Sequence, residues 1–142
     1  MTAAQNKALV IEAARHLSDR NLPALFAMIH EEGSWSVPFR PDRFAFGGYR
    51  DKAGIMELLS GFLGGFESFS FTVDNATAEE DRVILEARSE GVGPGDARYQ
   101  NNYLLIFFVR DGQLHTVREY FDPFQVNAYV DQWPIDGSCA KA

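Results

Sequence analysis

Cysteine is nearly absent from this chain of 142 residues, and the single one, Cys139, lies in a polar C-terminal stretch. One cysteine excludes an intrachain disulfide, and a reducing compartment is the simplest interpretation. Histidine is also sparse, since His16, His30 and His115 fall in different predicted elements without metal-ligand spacing. The sequence therefore predicts no metal site and no other cofactor.

Basic residues are too few for a nucleic-acid partner. The chain has 13 Lys and Arg against 20 Asp and Glu, a formal net charge of -7, whereas binding to phosphate backbones relies on clustered Lys and Arg. Long apolar runs are missing, and no basic patch followed by an apolar run begins the chain. We therefore expect a cytoplasmic protein that binds neither nucleic acid nor a membrane.

The order of periodic segments predicts one α+β domain over residues 1–133, followed by a loose tail at 134–142. Apolar spacings of three and four residues predict helices over 3–19 and 22–29, and a third helix that is capped by Asp51 and stopped by Gly64-Gly65. Alternation of apolar and polar residues then predicts strands over 34–39, 44–46, 68–73, 82–90, 98–110 and 113–121, with a last helix over 124–131. Helices followed by a strand meander are typical of helices laid on one face of an antiparallel sheet.

The hairpin around Asp111-Gly112 is the most specific local signal, because this dipeptide favours a two-residue turn between strands. Such a turn fixes the register and predicts that Leu104 lies opposite Glu119 and Asn102 opposite Phe121. The face that carries Glu119 is then mostly apolar. The other face is apolar as well, so the hairpin is expected at the centre of the sheet.

A carboxylate on an apolar face must be paired with a cation, be protonated, or take part in binding or catalysis. Desolvation would raise the pKa of Glu119 toward neutrality, where a carboxyl group can both accept and donate a proton. Alternatively, Glu119 forms a buried structural pair with Arg88 or Arg98. The residues alone leave both readings open. For Glu86 and Arg88 the register is open as well, and a solvated row is favoured because a charged residue on a strand usually faces solvent.

Twelve phenylalanines can line a pocket for a flat ligand or simply fill a core. Trp35 can likewise be a pocket wall or a core residue. Candidate ligand contacts from the predicted elements are Trp35, Met56, Leu59, Asn102, Leu104 and Phe121.

The C-terminal half carries a family resemblance. The segments Asn101-Asn102-Tyr103, Asp111-Gly112 and Arg118 to Gln125, together with the helix order and the strand at Trp35, resemble SnoaL-like proteins. These belong to the nuclear transport factor 2-like superfamily, with ketosteroid isomerase, limonene epoxide hydrolase and the phenazine-biosynthesis A/B proteins as relatives. The resemblance implies a cone-shaped fold, in which a strongly curved sheet wraps around helices and encloses a pocket, and a homodimer formed through the outer sheet face.

The resemblance also implies roles for particular positions. Glu119 matches a catalytic glutamate of the phenazine-biosynthesis proteins and a water-activating aspartate of the epoxide hydrolase. Glu86 and Arg88 match an Arg-x-Asp pair of the hydrolase with the charges exchanged, which favours an inward orientation for both. Val37 falls at or next to the aspartate base of the isomerase, and this speaks against steroid isomerisation.

We therefore expect a small-molecule pocket and two functional hypotheses. In the first, an enzyme performs a cyclisation, isomerisation or condensation on a small, largely apolar carbonyl compound. Glu119 is its general acid/base, Arg88 or Asn102 orients a substrate oxygen, and Glu86 contributes to binding. In the second, the same fold is a non-catalytic binding module or a structural dimer.

Overall fold

The structure is a computed structural model that describes residues 1–132. Within these residues, four helices and six strands follow one another. In order they are α1 (Ala3–Asp19), α2 (Leu22–Ala27), β1 (Ile29–Val37), β2 (Gly48–Asp51), α3 (Lys52–Gly64), β3 (Ser68–Glu79), β4 (Arg82–Val92), β5 (Arg98–Arg110), β6 (Gln113–Phe121) and α4 (Pro123–Asp131), with a 3-10 turn at Pro94–Asp96. The predicted tail at 134–142 lies outside the described residues.

All six strands form one sheet in the order β2-β1-β6-β5-β4-β3. The hairpin β5–β6 is therefore central, as predicted. The sheet is mixed, because β1 runs parallel to β6 while every other neighbouring pair is antiparallel. The α+β prediction with N-terminal helices on a curved sheet is confirmed, and the parallel β1–β6 pair corrects the expectation of a purely antiparallel sheet.

The helices begin where the sequence offers caps. The Thr2 side chain accepts a hydrogen bond from the Gln5 backbone, and the Gln5 side chain accepts one from the Thr2 backbone, which together form a capping box at α1. Asp51 caps α3 through the Gly54 backbone N–H. Neither these helices nor the others in residues 1–132 combine the length and apolar character needed to cross a bilayer.

One sheet face is covered by the helices and contains the core. Val10, Ala13 and Ala14 of α1 pack against residues of β3, β4 and β5 in one buried cluster. A second buried cluster, rich in aromatic rings, joins α3 and α4 to the far ends of β1 and β5. We call this covered side the inner face of the sheet, and the opposite side the outer face.

The predicted strand at 44–46 is wrong, because this segment is a turn and β1 pairs with Gly48–Asp51 instead. The rings of Phe44 and Phe39 both pack against Phe121, each with centroids 5.7 Å apart. Ring packing thus holds the 38–47 segment against the end of the sheet without strand pairing. The correction matters for the site because β2 brings Arg50 onto the inner face.

Candidate functional site

Glu119 lies on the inner face, but its strand neighbours differ from the prediction. The turn is of the expected kind, since Asp111 and Gly112 both have positive φ, 53° and 71°. Beyond the turn, Phe108 opposes Thr116 and Val109 opposes Leu114, so His115 is an extra residue in β6. Such a β-bulge shifts the pairing by one residue and exchanges the faces of the partner strand.

The bulge decides which residues of β5 accompany Glu119. Leu105 lies opposite Glu119, and Tyr103 lies opposite Phe121. The predicted partners Asn102 and Leu104 are on the outer face, where both are exposed. The expectation that they contact a ligand beside Glu119 is therefore wrong.

Glu86 and Arg88 also lie on the outer face, so their expected inward orientation is wrong. Both are exposed and alternate with buried Leu85, Ala87 and Ser89 along β4. Arg88 forms an ion pair with Asp74 at 3.2 Å, and the Glu119 carboxyl group has no ion pair with Arg88 or Arg98 among the described residues. The residues alone favoured this solvated row, because a charged residue on a strand usually faces solvent.

Glu119 contributes to a cavity of about 60 Å³ beneath the aromatic end of the inner face. The walls come from five elements and from the 38–47 segment, and most of them are apolar. The lining residues are Val37, Phe46, Leu58, Leu59, Phe62, Tyr99, Tyr103, Glu119, Phe121 and Val126. Of the predicted ligand contacts, Leu59 and Phe121 line this cavity, whereas Met56 does not.

Trp35 is buried and contacts the carboxyl group of Glu119. Its indole Nε1–H donates a hydrogen bond to Glu119 Oε1 over 3.0 Å. Trp35 lies beside Val117 in the parallel β1–β6 register, which brings its side chain to the same face as Glu119. Of the two alternatives for Trp35, a core position is correct, with a polar contact to the site.

The environment of Glu119 favours its neutral form. Burial raises the pKa of Glu119 from its ordinary value of 4.5 to about 7, while the Trp35 hydrogen bond and the positive charge of Arg50 oppose the rise. The carboxyl group is therefore partly protonated near neutral pH. A group in this state can accept a proton or donate one at little free-energy cost.

Arg50 was not predicted as a site residue. It lies opposite Trp35 in the β1–β2 pair and so shares the inner face. Its guanidinium Nη1 donates to the backbone carbonyl of Phe46 over 3.0 Å. Arg50 therefore has two roles. Its hydrogen bond holds the segment that contains the cavity residue Phe46, and its positive charge stabilises the ionised form of Glu119.

Two tyrosines that line the cavity beside Glu119 belong to a chain of hydroxyl groups, which was also missed. The Tyr99 and Tyr103 hydroxyls are 2.8 Å apart, and the Tyr103 hydroxyl is 2.8 Å from Ser89 Oγ. Asn101 Nδ2 donates to the Tyr99 hydroxyl over 2.9 Å. Burial raises the pKa of both tyrosines, so both stay protonated at neutral pH. The sequence could have revealed these residues through their spacing, because residues 99, 101 and 103 share one face of a strand.

Two other properties of the described residues bear on function. An open depression of about 590 Å³ lies around Ser68, Glu90 and Arg98 at one end of the sheet, away from the Glu119 carboxyl group. Within residues 1–132, no three His, Cys, Asp or Glu side chains are grouped so that they could hold a metal ion. We therefore take the cavity at Glu119 as the candidate functional site.

Sequence comparison assigns the family. Residues 10–117 match the SnoaL-like domain. The chain belongs to the SnoaL-like family. A relative from Dictyostelium discoideum, UPF0523 protein C, is 31% identical over 102 residues, which cover 70% of this chain and 65% of that protein. The match thus spans slightly less than two thirds of the relative.

Solved structures share the fold of this SnoaL-like chain at low sequence identity. PrhC from Penicillium brasilianum has a TM-score of 0.82 at 15% identity, covering 93% of this chain and 89% of that one. TerC, co-crystallised with polyporic acid, has a TM-score of 0.75 at 17% identity, covering 89% and 98%. An NTF2-like protein from Anabaena variabilis has a TM-score of 0.70 at 22% identity, covering 86% and 93%. The nuclear transport factor 2-like fold is confirmed.

Proposed function

We propose that this SnoaL-like protein is an enzyme that uses Glu119 as general acid/base on a small, largely apolar carbonyl compound. The observation that carries the proposal is a carboxyl group with a pKa of about 7 in the wall of an otherwise mostly apolar cavity. An enclosed pocket with few polar groups and a perturbed pKa is the arrangement expected of an active site.

The proposed chemistry is proton transfer at carbon. Glu119, in its ionised form, removes a proton from the carbon next to the carbonyl group, and the electron pair of the broken C–H bond moves toward the carbonyl oxygen. The same carboxyl group then returns the proton, either to the substrate carbon or to oxygen. Isomerisation, cyclisation and condensation share this first step, and a positioned acid/base contributes about 10²–10⁴-fold to its rate.

Similarity supports this role without assigning a substrate. Glu119 occupies the position that the resemblance to the phenazine-biosynthesis A/B proteins matches to a catalytic glutamate. TerC, which shares the fold, was co-crystallised with polyporic acid. The fold therefore accommodates a ligand in at least one similar protein.

The size of the cavity constrains the ligand. A volume of about 60 Å³ holds about two water molecules, and ligand pockets typically measure about 300–1,000 Å³. A substrate of several heavy atoms must therefore displace part of the wall. Phe46 is the wall residue most suited to move, because it is partly exposed and belongs to the irregular 38–47 segment.

The test is hydrogen exchange at carbon in heavy water. Cyclopentanone is a small ketone whose α-hydrogens exchange slowly at neutral pH, and NMR follows their loss. The native protein is expected to accelerate this exchange, and Glu119→Gln to lose the acceleration by about 10²–10⁴-fold. The matched control is Glu86→Gln, which makes the same change on the outer face and should retain the native rate.

Two outcomes contradict the proposal. Exchange in the presence of the native protein at the rate of buffer alone would leave only a binding role for the pocket. An equal loss in Glu119→Gln and Glu86→Gln would show that the pocket carboxyl group has no special part in the reaction.

The outer sheet face supports a homodimer as a second part of the proposal. Leu104 is 41% exposed and Tyr120 is 38% exposed on this face, and Phe108 lies beneath the guanidinium groups of Arg82 and Arg118, at 5.7 and 5.5 Å. Apolar surface of this kind marks an interaction site. Light scattering should give twice the chain mass for the native protein and a monomer for Leu104→Glu; a native monomer would exclude the dimer.

A further inference from the structure

The hydroxyl chain at the cavity contains more hydrogens than it can use internally. Tyr99, Tyr103 and Ser89 carry one hydroxyl hydrogen each, but only two contacts join the three oxygens. Each contact uses one hydrogen. One hydroxyl hydrogen is therefore left over, and its place depends on how the chain is oriented.

Asn101 fixes one end of the chain. Its Oδ1 accepts a hydrogen bond from the Asp122 backbone N–H over 3.1 Å, and its Nδ2 donates to the Asp122 carbonyl over 3.0 Å. These opposite contacts determine which side of the amide carries the hydrogens. Nδ2 must therefore donate to the Tyr99 hydroxyl, and the Tyr99 oxygen acts as an acceptor toward Asn101.

Ser89 fixes the other end. It is 1% exposed, and among the described residues its hydroxyl contacts only Tyr103. A surplus hydrogen on Ser89 would be a buried donor without an acceptor, which is costly. Ser89 therefore donates to Tyr103, and the surplus hydrogen belongs to Tyr99 or Tyr103, depending on which of the two donates to the other.

Both tyrosines line the cavity. The hydrogen bonds of residues 1–132 include none between either hydroxyl and the Glu119 carboxyl group, whose contact is with Trp35. The surplus donor is thus not used up by Glu119. The cavity is therefore lined by two tyrosines that share one surplus hydroxyl hydrogen, by a separate carboxyl group and otherwise by apolar side chains.

We infer that Tyr99 and Tyr103 form an oxygen-binding subsite that donates one hydrogen bond to an acceptor oxygen of the ligand, such as a carbonyl oxygen. Asn101 is a positioning residue that orients Tyr99. This inference rests on the proposed function in placing the ligand in the cavity, and it adds that the ligand oxygen binds at the tyrosines while Glu119 acts on a neighbouring carbon.

The test compares two probes of nearly equal shape, cyclopentanone and methylenecyclopentane, in which a CH₂ group replaces the oxygen. Amide chemical shifts measured during titration give the dissociation constant of each. The native protein should prefer the ketone by about tenfold, because the hydrocarbon leaves the surplus donor without an acceptor. The double variant Tyr99→Phe/Tyr103→Phe should lower this preference by about tenfold or more, because the ketone oxygen then loses its hydrogen bonds to water without gaining a donor.

Ser89→Ala is the matched control. It removes one hydroxyl and one contact, so the two tyrosines still carry two hydrogens for one contact, and a surplus donor remains. The preference for the ketone should stay within about threefold of native, since the contact that is lost uses the hydrogen of Ser89 and leaves the surplus hydrogen of the two tyrosines in place. Loss of the preference in Ser89→Ala would overturn the proton count.

A second measurement covers the case in which the double variant does not fold. Native protein carrying 3-fluorotyrosine reports each tyrosine by fluorine NMR, with signals assigned from single Phe variants. Cyclopentanone should shift the Tyr99 or Tyr103 signal, and methylenecyclopentane should shift neither by a comparable amount. Equal responses to the two probes, or none to either, would overturn the inference.

The outcome is separable from that of the acid/base proposal. Glu119→Gln should abolish hydrogen exchange while keeping the preference for the ketone. If Glu119→Gln leaves exchange unchanged but the tyrosine variants lose the preference, the subsite stands and the catalytic role fails. If exchange depends on Glu119 but the native protein shows no preference, the subsite fails and the catalytic role stands.

Discussion

The buried carboxyl group makes a prediction about stability that does not require a substrate. Burial raises the pKa of Glu119 from 4.5 to about 7 in the folded state, and the unfolded chain regains the ordinary value. Between these values the folded protein binds more protons than the unfolded chain. The contribution of Glu119 to stability is therefore fully present below pH 4.5 and is lost as the pH rises through 7.

The magnitude follows from the size of the pKa change. One pKa unit corresponds to 1.36 kcal/mol, so the whole contribution is about 3 kcal/mol, of which about 2.5 kcal/mol is lost between pH 5 and pH 8. Glu119→Gln removes the ionisation and keeps an oxygen that can accept the Trp35 hydrogen bond. The stability of this variant should therefore not fall between pH 5 and pH 8 for this reason.

Urea unfolding followed by circular dichroism at pH 5 and pH 8 measures the effect. The free energy of unfolding of Glu119→Gln, relative to native, should rise by about 2.5 kcal/mol from the lower to the higher pH. Other ionisable groups affect both proteins and cancel in the difference. Glu86→Gln, on the outer face, should show no such change relative to native, and parallel pH curves for native and Glu119→Gln would refute the burial argument.

Two further predictions concern the support of the site. Trp35→Phe removes the Nε1–H donor that stabilises the Glu119 carboxylate, so the pKa should rise above 7 and the exchange profile should shift to higher pH; an unchanged or lower midpoint would contradict this role. Gly93→Ala should cost about 1–3 kcal/mol in a urea unfolding experiment, because the new Cβ would lie 2.0 Å from the Tyr129 hydroxyl. Gly61→Ala in α3, with no atom within 4 Å, should instead gain about 0.5–1 kcal/mol, and a similar loss in both variants would contradict the packing argument.

Local signals predicted much of the fold. The bounds of β5 and β6 agree with the prediction at both ends, because alternation and the Asp111-Gly112 turn act within the hairpin itself. The first helix and the Asp51 cap were likewise predictable, since caps and apolar stripes are local. Among the site residues, Glu119 was predicted correctly as a carboxyl group on an apolar inner face.

The rest of the site depends on features without a local marker. The bulge at His115 reverses the faces of β5, which is why Tyr99 and Tyr103, rather than Asn102 and Leu104, accompany Glu119. Nothing in the composition of β6 distinguishes a bulged strand from a regular one. Arg50 was missed because its position depends on pairing between β1 and Gly48–Asp51, whereas the sequence predicted pairing at 44–46, where Phe44 instead packs its ring against Phe121.

For the orientation of Glu86 and Arg88, two arguments from the sequence disagreed. The base rate for charged residues on a strand indicated the outer face, and positional similarity to the epoxide hydrolase indicated the inner one. The structure agrees with the base rate, because burying a charge is costly on any strand whereas an ungapped match between distant relatives is no physical constraint.

The central claim is that Glu119 exchanges its proton near neutral pH inside the cavity. Carbon-13 NMR of protein labelled at glutamate carboxyl groups measures this directly, with the Glu119 signal assigned by its absence from Glu119→Gln. We expect a titration midpoint of about 7 for this signal. A midpoint near the ordinary value of 4.5 would contradict it.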